Sequence, residues 1–265
     1  MNQDWINPIL FSLGPVQLHW YGALHVMAFV IGGLLLKYLY RQKFWALSEG
    51  AIDQYIVWLI LAMFIGSRLF YVFIYNWDYY STHLLEIFAL WKGGMSFYGS
   101  LIAMGLVSWI FAQKHKLHFF QITDCLAIAG SQGILWGRIG NFINGELYGR
   151  VTDSWIGVIF PTGGPFPRHP SQLYEGILEG FVLFIILFYL FPRERFYGVI
   201  SSLFLLGYGV LRFFVEFFRE PDAQFGFYLK FFSFGQVLCI LTMLFGWVML
   251  IYARRLNIKN PLIPR

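Results

Sequence analysis

Charge is scarce in this chain. Only 12% of its 265 residues are charged, against roughly 25% in an ordinary soluble domain. That excludes a soluble globular fold, because too few charges remain to cover a water-facing surface. Cysteine is nearly absent: Cys125 and Cys239 both lie inside apolar runs. They are expected to be buried packing residues and say little about redox compartment. Residues 1–17 lack a basic leader and a small-residue cleavage site, so no cleavable signal peptide is expected. No His/Cys/Asp/Glu spacing suits a metal, and no glycine loop suits a nucleotide phosphate. No metal and no cofactor are therefore expected. An internal repeat is also missing, which removes support for an inverted-repeat transporter. The net charge of +5 is spread over separate loops and is no signal for nucleic acid.

What is abundant is apolar length. The chain is 58% hydrophobic and rich in Phe, Tyr and Trp, which suits lipid contact and interfacial belts. Runs near the ~20-residue spanning length recur from end to end. They predict an all-α polytopic membrane protein, a single integral membrane domain over residues 1–265. Seven spans are expected, at about 18–40, 51–75, 95–112, 120–139, 175–191, 197–217 and 232–252. Residues 141–174 form the longest segment between spans.

Basic residues orient the spans. Lys37, Arg41, Lys43, Lys114, Lys116, Arg193, Arg195, Arg254, Arg255, Lys259 and Arg265 fall in the odd-numbered loops and the tail. The even-numbered loops hold fewer: Lys92, Arg150, Arg168, Arg219 and Lys230. The N-terminus is therefore expected outside and the C-terminus in the cytoplasm, with segment 141–174 on the outer face. Arg68, Arg138 and Arg212 lie near the outward ends of their spans, so the polar chemistry is expected at the outer interface. That favours a lipid or amphipathic substrate. A pore would place polar groups along its whole length.

The densest polar stretch is 136–150, Trp-Gly-Arg-Ile-Gly-Asn-Phe-Ile-Asn-Gly-Glu-Leu-Tyr-Gly-Arg. Arg138 and Asn141 share a helix face. A guanidinium offers paired planar donors that match a phosphate, and Asn141 and Asn144 can donate to ester or hydroxyl oxygens. Glu146 suits an arginine or a hydroxyl. Tyr208, Arg212 and Glu216 recur every fourth residue along span six. Arg212 is expected either to pair with Glu216 or to face Arg138 as a second phosphate clamp. Ser171 reads as a helix N-cap with Glu175 in the first turn. His19 precedes Trp20 and Tyr21 at the outer edge of span one, where an aromatic belt competes with a substrate role.

Residues 137–150 resemble the signature of bacterial prolipoprotein diacylglyceryl transferases. The resemblance extends to 18–22 (Leu-His-Trp-Tyr-Gly), 93–97 (Gly-Gly-Met-Ser-Phe), Arg168 to Glu175, and Gly207 to Arg219. It implies an enzyme of the bacterial cytoplasmic (inner) membrane. Such enzymes transfer the diacylglyceryl group of phosphatidylglycerol to the lipobox cysteine thiol of a preprolipoprotein, and release glycerol phosphate. The implied partners are membrane lipid and the signal peptide, with no nucleic acid. The family's phosphatidylglycerol-binding arginine maps to Arg138 and its second essential arginine to Arg212. Asn141, Glu146, Gly149, Tyr21 and Tyr208 map to further functional positions. Arg68, His19, Asn144 and Glu216 complete the candidate substrate-binding set. One position departs: where the family usually has His-Gly-Gly-Leu-Ile-Gly, this chain has Tyr98-Gly99-Ser100-Leu101-Ile102-Ala103. Tyrosine, with an ordinary pKa near ~10, is a poor base at neutral pH but still relays a proton, so Tyr98 and Glu146 join Arg138 and Arg212 as the candidate catalytic residues. The alternative reading is a lipid-binding or lipid-flipping relative without chemistry.

The charge asymmetry makes the first prediction. A periplasm-dependent reporter enzyme fused after Arg265 is expected to be silent, and the same reporter inserted in segment 141–174 active. The reverse pattern would overturn the orientation.

Overall fold

In this computed structural model the described residues are 5–14, 16–42, 47–89, 93–220, 227–228 and 232–259. Lys43, Lys92, Lys230 and Arg265 of the charge pattern lie outside them. The chain groups into two compact units, Met1–Phe44 with Asp124–Arg265, and Trp45–Thr123.

The larger unit opens with a short hairpin, β1 (Ile9–Leu13) against β2 (Val16–His19), that leads into α1 (Trp20–Arg41). In the smaller unit, α2 (Glu49–Phe70) continues as π-helix to Tyr75, and short turns include α3 (Trp77–Tyr80). α4 (Phe97–Lys114) closes that unit. α5 (Phe119–Asn144) starts there and runs on into the larger one. The larger unit continues with α6 (Ser171–Glu175), a π-helical stretch Gly176–Val182 and α7 (Leu183–Leu190). α8 (Val199–Val215), the strand pair β3 (Phe227–Tyr228) and β4 (Phe232–Ser233), and α9 (Phe234–Leu256) follow.

Each expected span coincides with a helix. Four stretches are long and apolar enough to cross a membrane: Trp20–Arg41, Glu49–Tyr75, Ser171–Arg193 and Phe234–Leu256. Val199–Val215 is apolar but shorter. α4 and α5 fall short of that standard, and their composition shows why: α5 carries Gln121, Asp124, Gln132, Arg138 and Asn141 along its length.

Glycines set the helix crossings. In the smaller unit α2 and α4 touch backbone to backbone, since a Cβ on Gly66 would lie 2.6 Å from the Gly99 carbonyl oxygen. Around them Tyr55 and Ser108 share a 2.7 Å hydrogen bond between buried hydroxyls. In the larger unit a Cβ on Gly180 would meet the Leu135 backbone nitrogen at 2.6 Å, and one on Gly176 would press on Arg138 Cβ at 3.3 Å. This small-xxx-small spacing lets two membrane helices approach closely. It brings the helix 171–193 against α5 at the level of Arg138.

α8 has a cap from outside its own sequence. Gly198 turns the chain at φ 89. The buried Asp124 carboxylate of α5 then accepts from Gly198 N (2.7 Å), Ser201 N (2.8 Å) and the Ser201 hydroxyl. These are free N–H groups of a helix start, and a carboxylate there also suits the helix dipole. Replacing Asp124 with Ala is expected to cost at least ~2 kcal/mol, from a lost cap and buried donors left unpaired. Thermal unfolding in detergent checks this, with Asp124→Asn as the milder control.

Candidate active site

The site grows from the end of α5. At Asn144 the helix stops, and Gly145 (φ 68) and Leu147 (φ 59) turn the chain back. The Gln172 side chain donates to the Glu146 carbonyl at 2.6 Å, and the Ser171 hydroxyl donates to the Leu147 carbonyl at 3.1 Å. Ser171 is thus the first residue of α6 rather than its N-cap, which is Pro170. The expectation of a serine cap is corrected: its hydroxyl ties α6 to the turn after α5.

Gly149 sits where three strands of backbone meet. Its N–H donates to the His169 carbonyl at 2.8 Å, and a Cβ there would strike His169 and the Phe218 carbonyl. Arg150 N donates to that same Phe218 carbonyl at 2.9 Å, and its Nε donates to the Arg219 carbonyl at 2.9 Å. Segment 145–170 and the segment after α8 are stitched together here. His169 faces the Tyr174 hydroxyl at 3.1 Å, and partial burial lowers its pKa.

At the centre stands Glu175, with a side chain 0% exposed. Its Oε2 takes Arg138 Nε at 2.8 Å and also Arg212 Nη1. Its Oε1 faces Arg219 Nη1 at 3.3 Å. Arg212 Nη2 reaches Glu216 Oε1 at 2.8 Å, the i,i+4 pair anticipated from the sequence. Glu216 also accepts from the Ser233 hydroxyl at 3.2 Å. A Cβ on Gly235 would lie 2.6 Å from the Glu216 carboxylate. Glu179, equally buried, has Oε1 3.7 Å from Arg212 Nη1. A buried charge survives only with partners, and three arginines meet three carboxylates here.

What lies between Arg138 and Arg212 is therefore the Glu175 carboxylate, in the place the sequence reserved for a phosphate. The two arginines differ in their open edges. Arg212 is ringed by Glu175, Glu179 and Glu216. Arg138 has its Nη1 at 3.4 Å from the Asn141 side-chain oxygen, and among the described residues its Nη2 has no acceptor. Asn141 and Asn144 both donate to Glu146 Oε1, at 2.9 and 3.2 Å. Glu146 is exposed, and amides engage it where the sequence suggested an arginine or a hydroxyl. Tyr21 lies alongside: a Cβ on Gly140 would meet its ring at 2.9 Å, and its ring packs at a tilt against His25. His19 is exposed at the start of α1. Tyr208 stacks on Phe204 one turn before Arg212.

Arg68 and Tyr98 belong to the smaller unit. Arg68 is 3% exposed, and its guanidinium donates to the carbonyls of Glu86, Ile87, Ala89, Gly93 and Gly94. All five of its N–H donors hold that loop, which leaves none for a substrate. Tyr98 is the second residue of α4 and half exposed.

Sequence reasoning passed over Glu175, Glu179 and Arg219. The available signal was the pair Gly176 and Gly180, each preceded by a glutamate on a helix destined to pack closely on α5.

Long apolar helices around a buried, arginine-centred polar cluster mark a membrane-embedded protein. The comparisons sharpen that class. The sequence pattern of the prolipoprotein diacylglyceryl transferases matches residues 8–252. Curated relatives carry the name phosphatidylglycerol–prolipoprotein diacylglyceryl transferase. One from Geobacter sulfurreducens is 44% identical over 94% of this chain and 96% of its own length. One from Pseudoalteromonas atlantica is 43% identical over 95% and 91%, and one from Pseudomonas paraeruginosa is 42% identical over 97% of both. The chain belongs to the prolipoprotein diacylglyceryl transferase family.

The cluster predicts a stability contrast. Glu175→Gln removes the shared partner of three arginines and is expected to cost roughly 3–5 kcal/mol. Glu146→Gln, at an exposed position, is expected to change stability by under about 0.5 kcal/mol. Denaturation in detergent compares the two directly.

Proposed function

We propose that this chain transfers the diacylglyceryl group of phosphatidylglycerol to the lipobox cysteine thiol of a preprolipoprotein. The observation that carries the proposal is Arg138. In a chain of this family it holds an open guanidinium edge at the mouth of a buried charge cluster, beside the amides of Asn141 and Asn144. The diester phosphate binds that edge as a planar, charge-assisted acceptor. Cysteine thiolate attacks the glycerol carbon that carries the phosphate oxygen. A C–S bond forms, the C–O bond breaks, and glycerol phosphate departs with the electron pair. Arg138 and Arg212 offset the charge gathering on the leaving group, an effect that grows towards the transition state.

The remaining candidates take supporting parts. Asn141, Asn144 and Glu146 orient the glycerol headgroup. Tyr21 and Tyr208 flank it, with His19 at the outer rim. Gly149 permits the close backbone approach that holds segment 145–170. Glu216 fixes Arg212. Arg68 supports its own loop. Tyr98, in the place where the family usually has histidine, relays the thiol proton.

The topology completes the reading: seven spans in the bacterial cytoplasmic membrane, N-terminus outside, C-terminus in the cytoplasm. Contacts within the larger unit support it. Trp5 Nε1 donates to the Ile143 carbonyl at 2.8 Å, so the N-terminal lead meets the segment assigned to its own face. At the other set of loops Tyr197 N donates to the Ile258 carbonyl at 3.1 Å, and Arg254 pairs with Glu194 at 2.9 Å.

Purified protein in phosphatidylglycerol micelles with a lipobox peptide is expected to release glycerol phosphate. Arg138→Ala is expected to abolish release, and full release by that variant would overturn the clamp. A silent natural chain that gains activity in Tyr98→His would favour the non-catalytic, lipid-binding reading.

A further inference from the structure

The least satisfied group in the cluster is Glu179. Its side chain is 0% exposed, and among the described residues neither carboxylate oxygen accepts a hydrogen bond. Burying a carboxylate without donors is costly, so its retention calls for a physical reason. Two features give it one. Glu179 lies within the π-helical stretch Gly176–Val182, a distortion that occurs often at functional sites. It also stands one turn beyond Glu175 on the same helix, with Oε1 3.7 Å from Arg212 Nη1, the nitrogen that Glu175 Oε2 holds.

We propose that Glu179 is a positioning residue that receives Arg212 when it leaves Glu175 during turnover. The inference rests on the transferase reading above. In the resting arrangement Glu175 Oε2 is shared by Arg138 Nε and Arg212 Nη1. The diester brings one negative charge to Arg138. As thiolate attacks, its charge passes to the phosphate, and the leaving monoester carries two. The second charge needs a second guanidinium. Arg212 is that guanidinium, yet it is tied to Glu175. A buried arginine that drops its partner pays the full desolvation cost. Glu179 removes that barrier: a shift of roughly 1 Å brings Nη1 from 3.7 Å into hydrogen-bond range. Arg212 stays paired throughout, with Nη2 anchored on Glu216, and the donors that Glu179 and Glu216 leave over among its five N–H groups serve the phosphate. Glu175 meanwhile keeps Arg138 and Arg219.

The role carries a signature that a merely structural carboxylate would not give. Glu179→Leu removes an unpartnered buried acceptor in favour of an apolar side chain of similar volume, so melting temperature is expected to hold or rise. Its kcat is expected to fall roughly tenfold or more, with half-saturating phosphatidylglycerol within about threefold of the natural value, because the interaction acts in the transition state. Glu179→Gln, which keeps an acceptor without the charge, is expected to fall between the two. The assay is glycerol phosphate release at varied lipid, paired with thermal unfolding. A kcat within about twofold of natural for Glu179→Leu overturns the proposal. So does a variant that loses stability or fails to fold, or one whose lipid affinity falls as far as its kcat, since each marks a packing or binding role. If the natural chain releases no glycerol phosphate, the transferase reading itself fails, and this inference with it.

Discussion

The arginine cluster of the larger unit depends on one buried carboxylate. Glu175 sits where α5, the helix 171–193 and the segment after α8 converge, and it touches an arginine from each of α5, α8 and that segment. Taken alone, any of those arginines would be expensive inside an apolar bundle. Together with Glu175 they form mutual partners, and their positions become fixed by charge as well as by packing. The backbone makes this possible. Gly176 and Gly180 remove the Cβ atoms that would keep the two helices apart, so Glu175 and Glu179 come within reach of arginines on neighbouring helices.

The fold was largely legible in the sequence because the membrane imposes a simple rule. Backbone polar groups have no water to bond, so spanning segments must be helices of a set length. Every apolar run of that length became a helix, with ends within a few residues of expectation. What was not legible was the standing of α4 and α5, whose polar residues lower the apolar signal below that of a free-standing span. α5 can carry them because its polar groups find partners: Asp124 on the start of α8, Gln132 on the Ala28 carbonyl, Arg138 on Glu175.

The site was legible in part. Arg138, Asn141, Asn144 and Glu146 are close in sequence and on one helix end, so local spacing brought them together. Arg212 and Glu216 obey the i,i+4 rule. Glu175 was read as a first-turn charge because a helix start offers a local explanation for any acid near it. Its true partners lie more than thirty residues away in either direction, and no local rule reaches them. Glu179 was passed over for the same reason: its partner Arg212 lies on another helix, beyond any local rule.

Arg68 and Arg138 show how far residue type alone can carry an argument. Each lies towards the end of its helix, and each was a candidate for substrate. Their difference lies in the acceptors nearby. The loop after α2 turns five carbonyls inward, and five N–H donors of Arg68 close on them. Such a guanidinium is a rivet, since any ligand would have to displace good hydrogen bonds without replacing them. Around Arg138 the backbone is helical and its carbonyls are already engaged within α5. Its acceptors are side chains, Glu175 on one edge and Asn141 at a long 3.4 Å on another. Side-chain partners can rotate, and a long contact is readily exchanged for a charged one. A guanidinium bound by backbone holds a fold; one bound by side chains in a chargeable cluster is free to hold a substrate.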